Sequence, residues 1–365
     1  MHSKSMNRNN IVKRLNMKGI NRSNKDMIQA TITGQRQVDF VELPTPRPKA
    51  DWVLVKVHAS AVCTEYKSYL SGRETPVMGH EGVGEVVEIA QSGPVKEGDR
   101  VVILPQYPCA KCDLCRAGDY VYCQDNYNFK DFNGSISGSG TFAHYTLKPS
   151  WLLPTIPDEV SYAQATMAID GIGASFGGFQ AINVSSSDTV LVTGLGPVGL
   201  GAIVNTRFRN ARVIGVEPMP WRAQRAREMG AIAVLDPTDN ADILPQILDL
   251  TDGKGVDCAV DCSGQPKAER LCIDATRRRG RVAFVGESGE DLAIRVSPDM
   301  IRKGLTLVGS WLYNRADYTK VMRVIQQSPL IDLLISHQMP MSRIQQAFET
   351  LAKGESGKIV LDPWQ

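Results

Sequence analysis

The sequence predicts an α/β chain of two unlike domains: a β-rich one, then a doubly wound parallel sheet. Three observations carry that expectation. The 365 residues divide at roughly 150 per domain into two. From Met27 to about Pro157, short alternating runs are punctuated by Gly and Pro, the pattern of short antiparallel strands in a small barrel. From about Ser187, continuous apolar strands alternate with helical stretches, as in a parallel sheet buried on both faces. The expected divisions are a tail over 1–26, a first domain over 27–180 containing a cysteine lobe at 109–123, a second domain over 181–315, and a return to the first over 316–365.

With 42% hydrophobic and 22% charged residues, the chain can bury sizeable cores. No apolar run approaches the ~18 residues of a membrane span. Residues 1–26 hold seven Lys or Arg and one acid, with many Asn and no apolar stretch. They are expected to be an over-long start or a disordered tail, ahead of a transit peptide or a nucleic-acid-binding arm. Without them, 34 basic groups face 38 acidic ones, so the body's charge gives no reason to expect nucleic acid.

The first domain's strands are read at Trp52 to Val62, Gly82 to Ala90 and Asp99 to Pro105. The second begins with "TVLVTG" (Thr189 to Gly194), a helix from Pro197 to Arg209, the strand "RVIGVE" (Arg212 to Glu217) and a helix from Pro220 to Met229. "AIAVLD", "VDCAVD" and "RVAFVG" continue the series. Near the end, Ser342 and Gln345 are expected to form a capping box for the helix that follows, and "GKIVLD" to close as a strand.

Four of the eight cysteines fall within fifteen residues: Cys109, Cys112, Cys115 and Cys123. Thiolates on short, turn-rich spacers can close a tetrahedral shell around Zn²⁺ with no open position, which makes the site structural. Without a secretory signal, such a cluster implies a reducing compartment, so the cytoplasm is expected. Cys258, Cys262 and Cys272 read as buried thiols.

The run "TVLVTGLGPVGLG" contains Gly194-x-Gly196-x-x-Gly199 after an apolar strand and at the start of a helix. That context suits a dinucleotide: Gly194 for the turn, Gly196 for approach of the pyrophosphate, Gly199 for helix–strand packing, and the helix N-terminus toward the phosphates. Glu217 ends the next strand, 23 residues after Gly194, where a carboxylate can bind the ribose 2′-hydroxyl and repel a 2′-phosphate. NAD is therefore expected over NADP, with Arg222 and Arg225 nearby as the counter-argument. A third, dispersed group comprises Cys63 at a strand end, Gly79-His80-Glu81, and Asp170. Each alone is ordinary, but three ligands of S, N and O type with an open fourth position are what a catalytic zinc needs.

The Cys63 strand end, "GHEGVGEVVEI", "VKEGDRV", the four-cysteine lobe and the later nucleotide motif stand in the order of the zinc-dependent medium-chain alcohol dehydrogenases, which the chain resembles from Met27 onward. The resemblance implies a GroES-like β-barrel-type catalytic domain joined to a Rossmann domain. It implies two zinc ions per chain, with Cys63, His80 and Asp170 on the catalytic one, Glu81 able to approach that metal, and Val198 behind the nicotinamide ring. The implied reaction is reversible oxidation of an alcohol to a carbonyl with hydride transfer to NAD, by a homodimer or homotetramer. The family usually places Ser or Thr two residues after the ligand Cys to relay the hydroxyl proton. Here Glu65 stands there, so Glu65 is the expected relay, with Thr64 or Tyr66 as substitutes. Only seventeen residues separate Cys63 from His80, fewer than in better-known members.

The polar and aromatic segment Gln124 to Gly140, with Tyr66, Lys67, Trp311, Tyr313, Asn314 and Arg315, supplies candidate pocket residues. These favour a polyol, sugar, cyclitol or amino-alcohol over a simple secondary alcohol. The competing classes are a zinc-free reductase on the same fold and a non-catalytic NAD-binding relative; an intact ligand set disfavours both.

Overall fold

In the computed structural model, residues 26–238 and 242–365 are described. The expected tail lies outside them apart from Asp26, which opens the strand Asp26–Gly34. Among the described residues no helix is long and apolar enough to cross a membrane.

The later part of the chain builds a six-stranded sheet, all parallel. Its spatial order is Thr306–Gly309, Thr276–Phe284, Val256–Asp261, Thr189–Thr193, Arg212–Val216, Ala233–Leu235. Val190, Leu191 and Val192 are fully buried, because helices cover both faces of a sheet whose strands must be joined by crossovers. The chain starts in the middle, builds outward one way, then returns to build the other. Connections therefore leave the central strand Thr189–Thr193 in opposite directions, which opens a crevice at its carboxyl end. Gly194 lies there.

The earlier part forms a hairpin of Asp26–Gly34 with Gln37–Pro44 and a second six-stranded sheet. Trp52–Ala61 is its organising strand: it pairs antiparallel with Glu81–Ile89, Tyr145–Pro149 and, at its end, Lys358–Asp362. The last strand thus comes back from the far end of the chain to the residues just before Cys63. Val360 pairs with Ala61, and the Val62 N–H donates to the Ile359 carbonyl.

The expected capping box at Ser342 and Gln345 does not form. Gln345 Oε1 instead accepts the Val38 N–H at 2.9 Å, so a tertiary contact takes the group that local capping would have used. A capping box is present at Ser161 and Gln164.

Much of Gln124 to Gly140 is also used structurally. Trp52 stacks on Phe132 at 4.2 Å and on Tyr107 at 5.5 Å between ring centres, and packs against Phe129 and Tyr127. This box fastens the segment after the cysteine lobe onto the first sheet. Trp52→Ala should remove about 3–5 kcal/mol, measured as a lower urea midpoint for the transition that this box belongs to; an unchanged midpoint would mean the aromatic contacts contribute nothing net.

Candidate active site

The catalytic candidates arrive from three separate elements. Cys63 lies two residues beyond the strand Trp52–Ala61. His80 immediately precedes Glu81–Ile89. Gly79 before it has φ +84°, and a Cβ there would sit 2.5 Å from the Phe142 nitrogen, so the approach to His80 requires glycine. Asp170 lies between the short helix Thr166–Ala168 and the helix Gly173–Ala181, whose N-cap is Ile172; Asp170 is not a cap.

The three side chains meet. The Cys63 thiol donates to Asp170 Oδ2 at 3.2 Å, and His80 Nε2 lies 3.1 Å from the same oxygen. With a carboxylate oxygen of Glu81, their ligand atoms all lie within 4.8 Å of one another. Burial opposes ionisation of Asp170, yet the hydrogen bond and charge of His80 hold its carboxyl at about 2. Burial and then the Asp170 charge push the Cys63 thiol up to about 12. Burial works against the His80 cation, but the Glu65 charge raises it well above the ordinary range. The cluster thus balances its charge with protons on Cys63 and His80, and a divalent cation taking their place leaves thiolate, neutral imidazole and carboxylate. A mixed S, N, O set with room for a fourth ligand fits Zn²⁺.

Glu81 is fully buried and pairs with the equally buried Lys358. Burial pushes its carboxyl up to about 7 in spite of that lysine, and Oε2 has no hydrogen-bond partner among the described residues. An orphaned carboxylate oxygen beside the cluster is a further sign that the site suits a cation.

Glu65 is placed otherwise than a free proton carrier would be. It opens the helix Glu65–Ser71, and its carboxylate accepts the Cys63 N–H at 3.0 Å and the Gly79 N–H at 3.2 Å. Its Oε1 also lies 2.9 Å from His80 Nδ1. All three contacts hold the two candidate ligands in place. Glu65 does not line the cavity described below, whereas Thr64 and Tyr66 do.

The four lobe cysteines also converge. Cys109 and Cys115 sulfurs lie 3.9 Å apart, as do those of Cys112 and Cys123, close to the ~3.8 Å edge of a tetrahedron with 2.3 Å Zn–S bonds. The N–H groups of Cys109 and Asp125 point at the Cys123 sulfur. Backbone N–H groups of Lys111 and Cys112 hold the Cys109 thiol well below its ordinary range. Burial pushes the Cys115 thiol the other way, so the backbone donors favour thiolate at Cys109, and the spacing of the four sulfurs fits a closed metal shell.

A cavity of about 790 Å³ joins the cluster to the carboxyl end of the parallel sheet; Cys63, His80, Asp170, Gly194, Val198 and Glu217 all line it. Gly194 turns with φ +76°, and a Cβ on Gly199 would lie 1.9 Å from the Gly194 carbonyl oxygen. A Cβ on Gly196 would meet nothing nearer than Arg222 Nη1, at 3.7 Å. Pro197 stands at the first position of the helix Pro197–Phe208, where its missing N–H is not needed. Glu217 is buried, and its carboxylate accepts the Leu195 N–H at 2.6 Å and the Met219 N–H at 3.0 Å. It therefore braces the glycine turn as well as facing the cavity.

Lys67 and Trp311 line the cavity as expected, but Tyr313, Asn314 and Arg315 do not. Tyr313 is buried in the core, Asn314 binds Ala117 and Asp119 of the cysteine lobe, and Arg315 donates to the Trp151 carbonyl. Of Gln124 to Gly140, only Ser139 reaches the cavity, because the aromatics pack on Trp52. Gln106, Lys148 and Lys358 line it without having been singled out from the sequence. The readable signal was a lysine inside an apolar strand, at "YTLKP" and "GKIVLD".

Fold and site together define a two-domain, metal-binding dehydrogenase. Residues 49–158 match the alcohol dehydrogenase GroES-like domain, and residues 197–327 match the zinc-binding dehydrogenase family. The uncharacterised zinc-type alcohol dehydrogenase-like protein YphC of Escherichia coli is 30% identical over 93% of this chain and 99% of its own. L-threonine 3-dehydrogenase of Pyrococcus horikoshii is 32% identical over 88% of this chain and 94% of its own. The crystal structure of 2R,3R-butanediol dehydrogenase from Bacillus subtilis superposes with a TM-score of 0.80 at 27% identity, over 92% of this chain and 99% of that one. The chain belongs to the zinc-dependent medium-chain alcohol dehydrogenase family: it is an oxidoreductase acting on CH–OH groups with zinc and a nicotinamide cofactor.

Gly79→Ala should lower stability by at least about 1–2 kcal/mol, since it adds left-handed strain to a backbone clash. Thermal unfolding measures this; a melting temperature equal to wild type would show that the segment at Phe142 yields freely.

Proposed function

We propose that the protein oxidises a polar secondary alcohol, such as a polyol, sugar, cyclitol or amino-alcohol, transferring hydride from the carbinol carbon to NAD. The observation that carries the reading is the convergence of Cys63, His80 and Asp170 in the wall of the cavity that also holds the Gly194 turn and Glu217. Cys63, His80 and Asp170 would hold one zinc, and Cys109, Cys112, Cys115 and Cys123 a second, structural one. When bound, zinc supplies Lewis-acid polarisation of the alcohol oxygen, and the nicotinamide supplies the hydride acceptor.

The chain's own groups do the rest. Glu65 fixes the His80 ring through Nδ1, as a positioning residue. Thr64, which lines the cavity beside Cys63, relays the hydroxyl proton in place of Glu65, releasing its own proton to solvent in the cavity as it accepts the substrate's. Val198 backs the nicotinamide. The backbone at Gly196 would admit the pyrophosphate, and Glu217 would select the ribose hydroxyl against a 2′-phosphate, with Arg222 in the same cavity as the counter-argument. The domain division is read as 27–180 with 316–365, and 181–315. The assembly is read as a homodimer or homotetramer, in the cytoplasm. L-threonine and 2,3-butanediol, the substrates named for two relatives, are both secondary alcohols with a polar neighbour, which supports the substrate class.

NADH formation by the zinc-replete protein across polyols, sugars, cyclitols, threonine and simple secondary alcohols tests the reaction, with NADP in parallel. A polar substrate with NAD is expected; exclusive turnover of simple aliphatic alcohols would overturn the substrate class. Glu217→Ala should erode the preference for NAD over NADP by tenfold or more, and an unchanged ratio would remove the ribose role. Asp170→Ala should cut zinc from two to about one per chain by elemental analysis and turnover by at least about a hundredfold. Wild-type zinc content and rate in that variant would refute the ligand role.

A further inference from the structure

The cavity wall contains a lysine that the mechanism above does not use. Lys148 is the fourth residue of the strand Tyr145–Pro149; it is only 3% exposed, yet it lines the cavity shared by Cys63, His80 and Asp170. Its Nζ donates to the Gln106 carbonyl at 2.5 Å and lies 4.0 Å from the centre of the Tyr107 ring. Neither partner is a counter-charge. The lysines paired with an acid among the described residues are Lys111, Lys320 and Lys358. Burial alone pushes the Lys148 ammonium down to about 7, with no acid opposing it.

An ammonium has three N–H donors, and Gln106 takes one. Burying such a group unpaired is unfavourable, and a residue needed only to fill the wall would be apolar, as Ile103 in the same lining is. The carbonyl and the ring hold the ammonium in position without neutralising it. Lys67, exposed and lining the same cavity, adds a second positive charge. The carbinol carbon belongs at the Cys63 cluster and the nicotinamide at Val198, so the wall around Gln106 and Lys148 is left for the remainder of the substrate.

We propose that Lys148 recognises an anionic group, a carboxylate or a phosphate, carried by the alcohol substrate away from its carbinol carbon. This rests on the reading of the cavity as an alcohol-oxidising site. The bound anion supplies the missing counter-charge. A neutral alcohol of similar shape leaves the ammonium unpaired, so discrimination comes from a buried group left without its partner.

Calorimetry on the zinc-replete protein with NADH tests this with matched pairs: sn-glycerol 3-phosphate against glycerol, and 3-hydroxybutyrate against 1,3-butanediol. In one arm or both, the anionic member should bind at least about tenfold more tightly; the arm that responds distinguishes phosphate from carboxylate. K148M should reduce that preference to below about threefold, and K148R should restore part of it; K148Q replaces K148M if the latter fails to fold. No preference in wild type, or the same preference in K148M, overturns the proposal and leaves Lys148 as a brace for Gln106. NADH formation is followed separately. Lys148-dependent anion binding without NADH from any alcohol would keep the anion site and remove the oxidation reading. NADH formation with a preference indifferent to K148M would do the reverse.

Discussion

One carboxylate oxygen, Asp170 Oδ2, is the point on which the rest of the structure bears. A thiol 107 residues upstream and an imidazole 90 residues upstream both meet it at close to 3 Å. Bringing these groups together out of water is unfavourable, because each loses hydration that only the others can replace. The surrounding structure compensates by saturating them. Glu65 ties the Cys63 and Gly79 N–H groups and the His80 ring into one unit, and Lys358 offsets Glu81 next door. The last strand reaches the site through pairing with the residues just before Cys63. The C-terminal segment therefore supplies a buried charge as well as an interior strand, flanked on its other side by Ile335–Pro340.

Close backbone contacts carry the site to the nucleotide sheet. A Cβ on Gly201 would lie 1.6 Å from the Gly171 carbonyl oxygen, so the helix Pro197–Phe208, which opens at the glycine turn, presses against the segment that bears Asp170. Asn205 from the same helix donates to the Ile172 carbonyl at 3.0 Å and to the Ser175 hydroxyl at 2.9 Å. Groups that would cradle a dinucleotide and groups that would hold a metal are thus set by one helix–helix contact. Such rigidity suits a hydride transfer, which needs donor and acceptor carbons held within a narrow range of separations.

Part of the cavity wall is built on aromatic packing. Trp52 holds Tyr107 and the segment after the cysteine lobe, while Tyr107 carries the Lys148 ammonium on its ring. Gln106 between them takes φ +70°, and the ammonium sits on its carbonyl. The cysteine lobe is fastened on its other side by Asn314. The cysteine lobe and an aromatic box thereby shape a pocket wall to which neither contributes the reacting groups.

Taken by itself, the sequence determined what local rules can decide. The order of apolar strands and helices specified the doubly wound sheet, because burial on both faces leaves a continuous apolar run. The glycine turn and the cysteine spacing were legible because their chemistry depends on neighbours in the chain. Cys63, His80 and Asp170 were readable as candidate donors by type, but their assignment to one metal came through resemblance, since nothing local links residues so far apart. Tertiary structure decided the rest. Glu65 turned inward, because the backbone around Cys63 and Gly79 offers two N–H groups that need an acceptor. Gln345 gave up its capping role to Val38. Tyr313, Asn314 and Arg315 went to the core and the cysteine lobe, and Lys148 came to the cavity. Each of these outcomes depends on which long-range partner competes for a polar group, and that competition is settled only when the sheets pack.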